Sequence, residues 1–228
     1  MNYKFNRLMG AKLAAELLGT GILAMIILVM SNTTAVSYFI ATSAAVTLAG
    51  LVMAFGPTSG GHFNPAITFG LWTARRISTV KGLAYIVAQA LGGLAAWQLY
   101  QYFTNHTLAS RTVNFDTRLF IAEAVGAAIL SFGFAAVLHR GVETMAASVA
   151  MGTIFFVAIM VAATASLGYI NPAVAIAARS VSVVYIVGPL VGGLVGVNLY
   201  TMLFEGAGVR SKSVAAKSSS RSRSSKKK

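Results

Sequence analysis

The chain of 228 residues contains no cysteine, which excludes disulfides, thiolate metal sites and a cysteine nucleophile and leaves the redox compartment unread. Charge is nearly as scarce: 10% of the residues are Asp, Glu, Lys or Arg, and only five are acidic. A soluble domain needs roughly 25% charged residues to solvate its outside, so soluble enzymes and DNA-binding modules are set aside. Eight of the charges lie from Arg210 onward, which leaves the rest of the chain poorer still. The net charge of +13 does not point to nucleic acid, because Lys and Arg flank apolar runs instead of covering a folded face. With so few ionisable groups no nucleophile, base and orienting residue can be assembled, so no enzyme, metal or cofactor is expected.

What fills the chain is apolar: 57% hydrophobic residues and a mean hydropathy of +0.74. A membrane span takes about 20 mostly apolar residues. Leu13 to Met30, Gly82 to Phe103, Leu119 to Leu138 and Val181 to Phe204 each fit one span. Two further runs do not, since 35–74 and 144–178 are 40 and 35 residues without a formal charge. Forty helical residues measure about 60 Å, twice the hydrocarbon core of about 30 Å, so each run must fold back. Near its C-terminal end each holds the same tripeptide, Asn64-Pro65-Ala66 and Asn171-Pro172-Ala173. Asparagine is a strong N-cap and proline suits the first helical position, so both tripeptides read as helix starts. The expected fold is an all-α membrane protein with six transmembrane helices and two re-entrant half-helices. Backbone leaves helical form at membrane depth only where protein buries it or a water-filled cavity is lined by it, so the half-helices imply a cavity.

The two halves of the chain repeat each other. At an offset of 107, Ala15-Glu16 pairs with Ala122-Glu123, Gly19 with Gly126, Ser59 with Ser166, Gly61 with Gly168 and the first tripeptide with the second. After the tripeptides the offset falls to 100, pairing Gly92-Gly93 with Gly192-Gly193 and Leu99-Tyr100 with Leu199-Tyr200. The expected organisation is a first repeat over 1–110, a second over 111–205 and a basic Ser/Lys/Arg-rich tail over 206–228, too polar to bury a core. Three spans per repeat is an odd number, so the second copy enters the membrane upside down, and inverted repeats place their working site near the midplane between them. Fifteen Lys and Arg fall on the side of the termini against three on the other, which puts both termini in the cytoplasm. The overlapping Gly188, Gly192 and Gly196 read as a close helix crossing.

These motifs resemble the aquaporin and glycerol-facilitator (major intrinsic protein) family over roughly residues 8 to 204: Glu16 with Gly19-Thr20, Ser59-Gly-Gly-His62-Phe-Asn64-Pro-Ala, Ala88-Gln89 before Gly92-Gly93, and Gly168-Tyr-Ile-Asn171-Pro-Ala. The resemblance implies a passive channel for water and small neutral solutes, a homotetramer, and residence in the plasma (cell inner) membrane. It places Asn64, Pro65, Ala66, Asn171, Pro172 and Ala173 at the pore midplane, where half-helix N-termini repel cations. Glu16 and Glu123, available in principle to a proton relay, are implied to brace the re-entrant loops instead, as their duplication also suggests. His62 has no second metal ligand nearby and reads as loop-bracing and pore-lining.

Most members of the family carry Arg after the second tripeptide, where this chain has Val174. By spacing, the other positions of the outer selectivity filter fall on Ala44, Ile159 and Gly168, so the expected filter is wider and less polar than usual. Arg179 lies five residues further on, at a vestibule position. The short chain and Ala175 favour a water-type channel, while the filter favours entry of glycerol, urea or ammonia. A secondary transporter is the alternative function, since such transporters also use inverted repeats; a mainly structural or adhesive role is a third, though the loop 32–36 is too short to offer an adhesive patch.

Overall fold

The computed structural model describes residues 7–205; the basic tail assigned to 206–228 lies outside them. Eight α-helices follow in order: α1 (Arg7–Thr33), α2 (Ser37–Ser59), α3 (Pro65–Thr73), α4 (Thr79–Thr104), α5 (Thr117–Arg140), α6 (Thr144–Ala162), α7 (Pro172–Ala177) and α8 (Val183–Tyr200). A single π turn, Thr201–Glu205, extends the last of them. There is no strand among the described residues. Six helices are long and apolar enough to cross a membrane, with α3 and α7 as the two short exceptions. Leu18, Ile22, Val87, Leu91 and Val149 all stand exposed on the outside of the bundle, the sign of helices that are solvated by hydrocarbon. This is the all-α fold of six spans, two half-helices and an inverted tandem repeat expected from the sequence.

The packing follows the duplication. In the first repeat α1 lies against α4, and in the second α5 lies against α8, while α2 pairs with α6 across the repeats. Glycine sets the approach. A Cβ on Gly92 would run into the Leu17 carbonyl of α1, and one on Gly192 into the Ala124 carbonyl of α5. Gly196 meets the Ala128 carbonyl in the same way and Gly188 approaches that of Phe120, so the three glycines of α8 form the close crossing. The adjacent glycines face the half-helices. Gly93 of α4 abuts the Ala173 carbonyl of α7, and Gly193 of α8 abuts the Ala66 carbonyl of α3. Each half-helix is therefore seated on a long helix of the opposite repeat.

Candidate pore

Each half-helix starts at the asparagine of its tripeptide. Asn64 and Asn171 are extended N-caps, with φ of −155° and −150°, and proline follows at the first helical position. The Asn64 Oδ1 accepts from the Ala66 N–H at 2.8 Å and the Asn171 Oδ1 from the Ala173 N–H at 3.0 Å. The Nδ2 atoms reach across the repeats. Asn64 donates to the Ile170 carbonyl and Asn171 to the Phe63 carbonyl, both at 3.0 Å. One N–H of each amide is thus consumed by the opposite loop and one is left unused by the described residues, a restriction that the sequence did not disclose.

The carbonyls that receive these amides belong to strained residues. Phe63 and Ile170 have φ of 47° and 43°, a region that a bulky or β-branched side chain rarely enters. The buried carboxylates hold them there. Glu16 accepts from the Ser59 hydroxyl at 2.6 Å, from the His62 and Phe63 N–H groups at 3.1 and 2.8 Å, and from Gln89 Nε2 at 2.7 Å. Glu123 repeats the pattern with Ser166 at 2.8 Å and the Tyr169 and Ile170 N–H groups at 3.0 and 2.6 Å. Both carboxylates are fully buried, and their donors replace the water that a buried charge would otherwise lack. Pro189 stands where the offset of 100 puts the counterpart of Gln89, so Glu123 has no counterpart of the Gln89 side-chain donor among the described residues.

His62 is held on both sides. Its Nδ1 lies 3.0 Å from the Thr68 Oγ1, and Thr68 is in turn 2.8 Å from the Gln89 amide. Its ring meets Tyr85 edge-on at 5.1 Å and Phe134 at 5.4 Å.

The four positions assigned to the outer filter are all buried. Gly168, at φ 64°, lies against Ile159, whose carbonyl would be 3.1 Å from an added Cβ. Ala44 and Val174 are fully buried in the same core cluster as Ile159. Arg179 stands outside them: its guanidinium lies over the Trp97 ring at 4.6 Å and donates to the Leu108 carbonyl at 3.2 Å, while its own carbonyl accepts from the Arg111 N–H at 2.8 Å. It ties down the loop between α4 and α5. Sequence reasoning missed Phe134 and the task of Thr68 beside His62, since neither residue has a duplicate to mark it. It also missed the separate task of Gly93 and Gly193, although their pairing at an offset of 100 is a signal that only needed a partner.

Fold and site together define an inverted-repeat membrane protein whose half-helices meet head to head at paired asparagines. The family model described as Major intrinsic protein matches residues 6–200, and the chain belongs to that family. It is 31% identical to Aquaporin Z of Photorhabdus laumondii, covering 85% of this chain and 97% of the relative. With Aquaporin TIP2-1 of Arabidopsis thaliana the identity is 36%, over 65% of each. Among solved structures, the X-ray structure of the aquaglyceroporin from Plasmodium falciparum superposes with a TM-score of 0.68 at 19% identity, covering 86% of this chain and 95% of that one. That last likeness is one of fold.

Proposed function

We propose that the chain is a passive membrane channel for water and small neutral solutes, with Asn64-Pro65-Ala66 and Asn171-Pro172-Ala173 at the pore midplane. The observation that carries this reading is the reciprocal amide lock. It fixes both asparagines so that each offers one remaining N–H to a passing oxygen. Behind each amide a half-helix directs about half a positive charge at the same place. A water held by two donors there keeps its own protons pointing outward, and a cation meets two positive dipoles. Glu16 and Glu123 brace the loops, because their oxygens are occupied by N–H and hydroxyl donors. That also argues against the secondary transporter, which needs a carboxylate free to bind an ion or proton.

Ala44, Ile159, Gly168 and Val174 form the outer selectivity filter in this reading. Their side chains present no hydrogen-bond donor, so these positions impose no polar requirement on a solute and leave glycerol, urea and ammonia as candidate substrates beside water. His62 lines the pore on the other side of the asparagines. The family resemblance supports a homotetramer in the plasma membrane, and the charge bias supports cytoplasmic termini. Stopped-flow light scattering on proteoliposomes, under sucrose and then glycerol gradients, tests the proposal. Water flux well above a lipid-only control is expected, and Val174→Arg is expected to suppress glycerol entry relative to water. Native liposomes no faster than the control would sink the channel reading.

A further inference from the structure

The side of the bundle that carries Gly141 and the start of α6 holds a cavity of about 220 Å³ lined by Val52, Gly56, Gly60, Phe134, Val137 and Met151, among others. Its walls come from α2, α5, α6 and the loop before α3, so both repeats enclose it. Of its lining residues, Phe134 meets the His62 ring in an edge-on contact, with centroids 5.4 Å apart and planes at 82°. Both side chains are buried, at 5% and 4% exposure, and His62 stands two residues before Asn64. Through Phe134 and Gly60 the cavity thus borders His62, the residue that leads into the Asn64 cap.

The chemistry of the pair differs from that of the outer positions. His62 Nδ1 is engaged by Thr68, whereas its Nε2 has no hydrogen-bond partner among the described residues and lies 3.3 Å from where a Cβ on Gly60, a cavity-lining residue, would sit. One wall therefore offers a hydrogen-bonding nitrogen and the other an apolar ring. Ala44, Ile159, Gly168 and Val174 offer neither feature. The duplication does not supply a second such gate, because the offset of 107 sets Ile27 against Phe134 and Tyr169 against His62.

Resting on the channel reading above, we infer that the constriction which discriminates between solutes is the His62–Phe134 pair on the inner side of the asparagines, with Phe134 as the specificity-determining residue. A rigid ring at this point sets the size limit, and His62 Nε2 supplies a polar contact that compensates a solute for lost water. Trimming the ring lets a larger solute through more readily while a water, which already fits, gains little.

The experiment is stopped-flow measurement of glycerol, urea and water permeability for the full-length protein in liposomes. The variants are Phe134→Leu, Phe134→Ala, Phe134→Trp and, as the outer control, Ala44→Phe. The ratio of glycerol to water permeability is independent of how much protein folds and inserts. A several-fold rise of that ratio in Phe134→Ala, a smaller rise in Phe134→Leu and a fall in Phe134→Trp are expected. Should Phe134→Ala not fold, the opposite shifts of the Leu and Trp variants carry the same decision. An unchanged ratio in the Phe134 variants with water flux retained, or a ratio that responds to Ala44→Phe alone, overturns the inference and leaves the channel intact. Absence of water flux in the native protein overturns the channel reading itself.

Discussion

Two buried carboxylates govern the local chemistry of this membrane protein. Glu16 and Glu123 each accept a serine hydroxyl and two consecutive backbone N–H groups, and thereby hold Phe63 and Ile170 at positive φ. Substituting Glu123→Gln replaces one acceptor oxygen by a donor that faces another donor and removes the charge that strengthens the remaining bonds. A loss on the order of 3 kcal/mol in stability is expected, read as a lower temperature of aggregation in detergent. A variant as stable as the native protein would mean that the loop holds its conformation without the carboxylate. Glu16 has a fourth donor in Gln89, so its replacement by Gln is expected to cost more than that of Glu123. The duplication made both glutamates legible as structural residues from the sequence. Their partners were partly legible, since Ser59 and Ser166 are paired by the same offset, but Gln89 has no such pair and its bond to Glu16 emerged only on folding.

At the scale of elements, the half-helices are too short to hold themselves in place. Isolated helices below about 12 residues are marginal, and α3 and α7 have 9 and 6. Each gains its seat from a glycine on a long helix of the other repeat, Gly193 for α3 and Gly93 for α7. A methyl on Gly193 has nowhere to go, because the obstructing atom is the Ala66 backbone carbonyl and not a flexible side chain. Overpacking of this kind costs about 1–3 kcal/mol or more. Gly193→Ala is therefore expected to lower both thermal stability and water permeability per inserted molecule. Gly50, in the middle of α2, has no atom within 4 Å of an added Cβ, so Gly50→Ala is expected to leave flux unchanged and to help the helix slightly. Equal behaviour of the two alanine variants in calorimetry and flux would remove the seating argument. The helix starts themselves were readable in advance, because capping by asparagine and proline is decided within three residues.

For the whole molecule, the decisive property is what does not cross. In the proposed channel two half-helix dipoles oppose cation passage and no free carboxylate stands near the asparagines among the described residues, although Val174 stands where a guanidinium is usual. The positive charge nearest in sequence, Arg179, is turned away to Trp97 and Leu108. Purified protein in a planar bilayer is expected to carry no steady voltage-driven current, and a proton flux equal to that of lipid alone is expected in a pH-jump assay. A sustained current would show that the midplane dipoles are insufficient without an arginine at the outer end.

The sequence by itself determined the solvent, the number of spans, the two helix starts and the duplication. The first three are set by composition or by residues a few positions apart, where hydrocarbon and local backbone geometry act alone, and the duplication is read by laying one half of the chain on the other. Tertiary structure decided the rest. Asn64 meets the Ile170 carbonyl across 106 positions and Asn171 meets that of Phe63 across 108, and Phe134 of α5 comes to face His62 in the loop before α3. No local preference encodes such pairings; they follow from how closely glycine lets the two repeats approach, which sets what each buried polar group can reach.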